Sequence, residues 1–153
     1  PMGGNVLIGT TVPNPLMMLS VAGDAEKLGG GMWNAWSDKR LKSDVQPFTD
    51  GLAVLEQIDP VWYSYNDKLG VKTNERFVGV IAQDIQPVAP YMIKTVKMQL
   101  TGETGETELL NYNGTALTYI LVNAVKEQQN IIEEQQKQID ELKKMVNQLL
   151  EKQ

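Results

Sequence analysis

The last third of the chain carries a heptad repeat, and this repeat constrains the fold more than any other feature of the sequence. Apolar residues recur at spacings of three and four up to Leu149, as in a helix that buries one stripe in a coiled coil. The predicted seam consists of Leu121, Val125, Gln128, Ile132, Gln135, Ile139, Leu142, Val146 and Leu149. A helix over residues 116–153 would be about 55 Å long and unstable alone. The sequence therefore predicts self-association.

The heptads leave the number of associated helices open. Position a is β-branched throughout the seam and Leu is the commonest residue at position d, a combination that favours parallel dimers. Gln128 and Gln135 place two polar layers at d, which weakens that preference and is typical of layers that fix the register. Dimer and trimer both remain open on spacing alone.

Composition excludes several classes of function. The chain has no histidine, no cysteine and a formal net charge of −5. The commonest metal ligands are thus missing, and we expect no metal and no other cofactor. An acidic chain offers no basic patch for phosphates, so nucleic acid is not an expected partner. No apolar run approaches the roughly 18 residues of a membrane span, and the N-terminal residues lack the pattern of a signal peptide.

Upstream of the heptads, short apolar runs separated by Gly, Pro and polar residues predict an α+β fold. Two strands are expected at 6–8 and 16–19, on either side of the turn at 12–15. Thr49 or Asp50 is expected to cap a helix that runs to Ile58 and ends before Pro60. Further strands are expected at 61–65, 76–83 and 91–100, and a hairpin turn at 101–107 leads into 109–112. The predicted fold is thus a short N-terminal β segment, a small antiparallel sheet with a short helix, and a long C-terminal coiled-coil helix.

A serine, Ser37, precedes a lysine, Lys42, by five residues. A serine hydroxyl needs a base to become nucleophilic, and without histidine the candidates are a carboxylate or a lysine. Burial lowers the pKa of a lysine, so we expect Lys42 to be turned inward if it serves as the base. On spacing alone, two solvated neighbours are the commoner outcome for such a pair. Trp33 and Trp36, just upstream, are expected to pack in the core or in an interface between copies.

Several motifs stand around this pair in a fixed order. SDKRLK at 37–42 is followed by LEQIDPVWY at 55–63, by GVIAQD at 79–84, by LNY at 110–112 and by the long helix. This order resembles the intramolecular chaperone auto-processing domain at the C-terminus of phage tail fibres, tailspikes and endosialidases. The resemblance covers about Ser37 to Gln153, and the preceding GNVLIGTT at 4–11 is similar to a segment that often precedes such domains.

The resemblance implies a function and a site. Domains of this family form homotrimers, assist folding of the fibre upstream and then cut themselves off, acting as self-cleaving serine endopeptidases that turn over once. Carried over to this chain, the scissile bond is Trp36–Ser37, the nucleophile is Ser37 and the base is Lys42, with Asp38 and Gln83 as possible supporting residues. Cleavage by an N-to-O acyl shift and cleavage by a positioned water both remain open.

The resemblance also implies an organisation and a location. Residues 1–36 would be the end of a fibre shaft and the linker to the cleavage site, residues 37–115 the chaperone and auto-processing core, and residues 116–153 the trimeric coiled coil. The partners would be two further copies and the upstream fibre region of the same chain. The protein would act in the host-cell cytoplasm during virion assembly, and its parent would belong to the virion tail fibre.

Two other functions are compatible with the sequence. A non-catalytic trimerisation and receptor-contact tip would stay attached to its fibre, and the chain would keep its intact mass of 17.0 kDa. A processed chain would yield residues 1–36 and 37–153. The related auto-processing domain of a membrane-tethered eukaryotic transcription factor would require a transmembrane helix after the coil and a DNA-binding domain before it.

Overall fold

The computed structural model of the chain describes residues 6–9, 18–21, 35–70 and 73–152. These residues fall into two compact units. The first unit comprises the described parts of Pro1–Pro47 and of Pro60–Tyr112, and the second comprises Phe48–Asp59 and the described part of Asn113–Gln153.

The first unit contains paired short strands. β1 (Val6–Ile8) pairs with β2 (Leu19–Val21) in parallel, with Val6 opposite Leu19. The first of these strands is confirmed where the sequence predicted it. The second lies later than predicted, and residues 16 and 17 of the predicted run lie outside the described residues.

Two antiparallel hairpin-like pairs follow in the first unit. β3 (Val61–Tyr63) pairs with β4 (Phe77–Gly79), and β5 (Ile93–Gln99) pairs with β6 (Glu106–Tyr112) over seven residues. In the described part of the chain the strands thus form separate two-stranded sheets rather than the single small sheet that we predicted. The mixed α+β fold class is confirmed, and the tight β5–β6 turn contains Gly102 and Gly105, both with positive φ.

A short helix, α2 (Ala82–Ile85), stands where we predicted the end of a strand over 76–83. That part of the prediction is wrong, because Ala and Gln favour helix once the β-branched run ends at Ile81. The buried apolar side chains in the described part of the first unit lie between α2 and the residue that follows β5. These residues are Ile85, Ala89, Met92, Val96 and Leu100.

The second unit consists of α1 (Leu52–Leu55) packed on α3 (Thr115–Leu150). The predicted helix to Ile58 is present but much shorter, and its N-cap is Gly51 rather than Thr49 or Asp50. The long helix begins one residue before the predicted start, and its 36 residues span about 54 Å. Ile120 and Ala124 are its buried residues.

Polar side chains of α3 hold the segment that leads into α1. The Asn123 side-chain amide donates to the carbonyl oxygens of Phe48 and Asp50, at 2.9 Å each. The Glu127 carboxylate accepts the Leu52 backbone N–H at 2.7 Å. Gly51 is buried against the same carboxylate, and a Cβ placed there would lie 2.7 Å from Glu127 Cδ. Because the first N–H groups of a helix have no intrahelical acceptor, Glu127 supplies a cap from 75 residues away.

The opposite side of α3 is exposed and apolar in the single chain. Asn123 and Glu127 occupy heptad positions f and c, away from the a/d seam. Seam residues such as Val125 (61% exposed) and Leu149 (64% exposed) face solvent. A groove of about 450 Å³ on this helix is lined by Ile139, Leu142, Lys143, Val146 and Asn147. None of the described helices is both long and apolar enough to cross a membrane.

Candidate functional site

Ser37 and Lys42 meet across one tight turn of the first unit. Lys42 Nζ lies 2.7 Å from Ser37 Oγ and donates a hydrogen bond to it. Five residues of extended chain would span about 17 Å, but residues Lys39–Leu41 form a single 3-10 turn that shortens the path. The backbone N–H of Leu41 bonds Asp38 O at 3.0 Å, and that of Lys42 bonds Lys39 O at 3.2 Å. The fold therefore brings the hydroxyl of the first residue of the SDKRLK motif into direct contact with the amine of its last residue.

Asp38 is the N-cap of this turn. Its carboxylate accepts the Arg40 backbone N–H at 2.8 Å, Arg40 Nε at 3.0 Å and the Arg40 terminal nitrogen at 2.7 Å. The side-chain bonds from Arg40, followed by the backbone bond, lower the pKa of the Asp38 carboxyl. In the described part of the chain, the hydrogen bonds of the Asp38 side chain thus all go to Arg40. Arg40 was not among the predicted site residues, although its place two residues after an N-cap aspartate in the motif was a usable signal.

Exposure at the site differs from our expectation. Lys42 is exposed in the single chain, so the expectation that it is turned inward is wrong for one protomer. Trp36, whose carbonyl belongs to the predicted scissile bond, is 90% exposed. It does not pack in the core, which leaves an interface between copies as its predicted packing site. Trp33 lies outside the described residues.

Gln83 is not hydrogen-bonded to the pair in the part of the chain that the structure describes. It lies in α2 with an exposed side chain. Its supporting role stays a prediction. Among the residues that the structure covers, no three His, Cys, Asp or Glu side chains come close enough to hold a metal ion.

The match to a family model begins at Ser37. Residues 37–94 match the model described as "Chaperone of endosialidase". This region of the chain is therefore a chaperone of endosialidase domain, and it contains the Ser37–Lys42 pair, Asp38, Arg40 and Gln83.

Its relatives include fibre proteins of bacteriophages. The chain is 33% identical over 118 residues to "Long tail fiber protein Gp37" of Salmonella phage S16, a match that covers 71% of this chain and 15% of that protein. Proteins of the same name from Enterobacteria phages K3 and T2 are each 30% identical over 90 residues, or 59% of this chain. Those matches cover 7% and 6% of the two relatives. The chain thus corresponds to a small part of the length of each relative.

Proposed function

We propose that this chain is an intramolecular chaperone that trimerises, assists folding of an upstream phage-type tail fibre and then releases itself by cleaving the Trp36–Ser37 bond. The observation that carries the proposal is the 2.7 Å contact between Lys42 Nζ and Ser37 Oγ. Ser37 is the residue directly after the proposed scissile bond. Family membership over residues 37–94 supports it. A neutral lysine can accept the proton of the serine hydroxyl through this hydrogen bond, because the two atoms are close enough for direct proton transfer.

The chemistry has two balanced routes to the same products. In an acyl shift, Ser37 Oγ gives its proton to Lys42 and attacks the Trp36 carbonyl carbon. The C–N bond breaks, the Ser37 nitrogen takes up the proton, and water hydrolyses the resulting ester. In the other route, Ser37 and Lys42 position and deprotonate a water that attacks the same carbonyl directly. Both yield a Trp36 carboxylate and a free Ser37 amine.

Assembly supplies what the single chain lacks. Lys42 is exposed in one protomer, and desolvation favours the neutral form of an amine over the charged form. We propose that copies packed around the turn, with Trp36 in their interface, exclude water from the pair. Cleavage would then follow trimerisation, which suits a chaperone that must finish folding its fibre before it leaves.

The width of the exposed apolar stripe favours more than two helices. Beside the a/d seam, Ile131 and Met145 occupy position g and are 48% and 51% exposed. A strict a/d stripe suits a two-stranded coil, whereas apolar residues at a, d and g suit a bundle that buries a wider face. This breadth supports a trimer where the heptad spacing left the number open.

The test of cleavage is the intact mass of denatured protein after incubation. We expect the wild-type chain to yield residues 1–36 and 37–153, and Ser37→Ala and Lys42→Ala to stay at 17.0 kDa. Lys42→Arg should also stay intact, because a guanidinium keeps its proton and cannot act as a base. Ser43→Ala and Lys39→Arg are matched controls that should cleave normally. Wild-type processing in Ser37→Ala would refute the proposal.

Two further measurements refine the mechanism. The first-order rate should not vary with protein concentration once trimers exist, because the bond and both groups share one short segment. A rate that rises with added cleavage-competent chain on a Ser37→Ala substrate would show cleavage between molecules instead. Hydroxylamine added during the reaction should produce a Trp36 hydroxamate on the acyl-shift route and only the carboxylate on the water route.

The relatives support the proposed setting. Proteins named as long tail fibre components support a parent protein that belongs to a virion tail. We propose in addition that processing takes place in the host cytoplasm during assembly. The rival function is a non-catalytic trimerisation and receptor-contact tip. An intact wild-type mass together with a stable trimer would favour that tip.

A further inference from the structure

Arg40 makes side-chain bonds that organise the segment between Ser37 and Lys42. Arg40 Nε and its terminal nitrogen bind the two different oxygens of the Asp38 carboxylate, at 3.0 and 2.7 Å. This fork geometry is available to arginine but not to lysine. The same carboxylate caps the backbone N–H of Arg40 at 2.8 Å. One carboxylate therefore fixes both the backbone and the side chain of a residue inside the turn.

The turn sets the separation of the reacting groups. Ser37 directly precedes the cap residue Asp38, and Lys42 directly follows the last residue of the turn. If the turn opens, the chain from Ser37 to Lys42 lengthens and the 2.7 Å contact between their side chains is lost. No other hydrogen bond in the described part of the chain joins Ser37 directly to Lys42. The contact thus depends on a turn of three residues, all exposed.

We propose that Arg40 is a positioning residue for self-cleavage: its paired hydrogen bonds to Asp38 hold the turn that places Lys42 Nζ on Ser37 Oγ. The proposal rests on the proposed function, since it assigns Arg40 to that reaction. Among the described residues Arg40 has no hydrogen bond to Ser37 or Lys42, and its side chain bonds Asp38 alone. The lowered pKa of Asp38 supports the arrangement, because the carboxylate stays charged and keeps accepting these bonds.

The size of the effect follows from the exposure of the pair. The Arg40 and Asp38 side chains are 88% and 40% exposed, and such surface pairs hold a conformation only weakly. We expect Arg40→Met to slow cleavage about threefold. Asp38→Ala also removes the N-cap and should slow it about tenfold. Because Arg40 acts through Asp38, the double variant should be no slower than Asp38→Ala alone.

The experiment measures first-order cleavage rates of the full chain by mass. Arg40→Lys restores the charge without the fork and should recover part of the rate lost in Arg40→Met. Lys39→Met is the matched control, since it removes a neighbouring positive charge from the same turn and should cleave within about 1.5-fold of wild type. The urea midpoint and the oligomer mass should be the same for all of these variants, which separates positioning from loss of the fold.

Each outcome decides the proposal. Equal rates for Arg40→Met and wild type would overturn the positioning role while leaving the Ser37–Lys42 chemistry intact. Equal slowing in Lys39→Met and Arg40→Met would overturn it too, since charge alone would then explain the loss. Additive slowing in the Asp38→Ala, Arg40→Met double variant would refute action through Asp38. Absence of cleavage in the wild-type chain would refute both the proposed function and this role.

Discussion

Gly51→Ala should destabilise the second unit through a single side chain, Glu127. An added Cβ would lie 2.7 Å from Glu127 Cδ and 2.9 Å from Oε2, inside van der Waals contact. The carboxylate is the free end of a flexible side chain, but it is fixed by its 2.7 Å bond to the Leu52 N–H. The carboxylate must therefore move, and the bond is lost.

The cost can be estimated from that bond. A hydrogen bond to a charged group contributes about 1.5–3 kcal/mol, and the reduced chain entropy of alanine returns about 0.4–1 kcal/mol. We expect Gly51→Ala to lower the free energy of unfolding by about 1–2 kcal/mol. Glu127→Ala removes the same bond and should cost a similar amount. Combined, the two changes should cost no more than Glu127→Ala alone, since the added methyl then has room.

Urea unfolding followed by far-ultraviolet circular dichroism provides the assay. With a slope of about 2 kcal/mol per molar urea, Gly51→Ala should lower the midpoint by roughly 0.5–1 M. All samples need one protomer concentration, because the stability of an oligomer depends on it. Glu134→Ala, one heptad further along α3 with only an exposed 3.7 Å pair to Lys137, is the control and should change stability by less than about 0.5 kcal/mol. If Gly51→Ala lowers stability by the same amount in the wild-type chain and in the Glu127→Ala variant, the proposed clash with Glu127 is refuted.

Three other changes test separate features. Ile132→Asp combined with Ile139→Asp should dissociate the oligomer, because each copy would bury unpaired charges in the seam; an unchanged mass in light scattering would contradict this. The Asp38 carboxyl should titrate at lower pH in wild type than in Arg40→Met, since Arg40 lowers its pKa. The stabilisation of the turn by the Asp38 carboxylate is therefore complete above the pKa of the unfolded chain and is lost as the pH falls through the lower pKa of the folded chain. Coincident carbon-13 titration curves of Asp38 in wild type and in Arg40→Met would argue against the pairing. Asp44 has a φ of 51°, so Asp44→Gly should cleave normally and Asp44→Val should strain the chain by about 1–2 kcal/mol and slow cleavage; equal rates would show that the left-handed backbone conformation at Asp44 is not required for cleavage.

Features that depend on neighbouring residues were the most predictable from sequence. The helix over Thr115–Leu150 follows from a repeat sustained over several heptads, which few other structures can produce. The contact of Ser37 with Lys42 lies within six residues, so the spacing in the motif was informative. The catalytic roles of these two residues, and the seam contacts between copies, stay predictions.

Features that depend on distant residues were not predictable from sequence. The start of α1 is fixed by Asn123 and Glu127, which come more than 70 residues later, so local capping rules pointed to Thr49 and Asp50 instead. The run that ends at Ile81 shows a different difficulty, since a short apolar run is compatible with strand or helix until its packing is known. There α2 begins at Ala82 and buries Ile85.

The placement of Ser37 and Lys42 has a consequence for what remains after cleavage. Both groups lie on the C-terminal side of the Trp36–Ser37 bond, and among the described residues none before Ser37 is hydrogen-bonded to either side chain. On the proposed reaction, the fibre fragment would keep a new carboxylate at Trp36 and neither reacting side chain. The departing fragment would carry the serine and the lysine, but the bond they act on would be gone. Each chain could therefore react only once, and once the fragments separate by diffusion the finished fibre could not be rejoined to its chaperone.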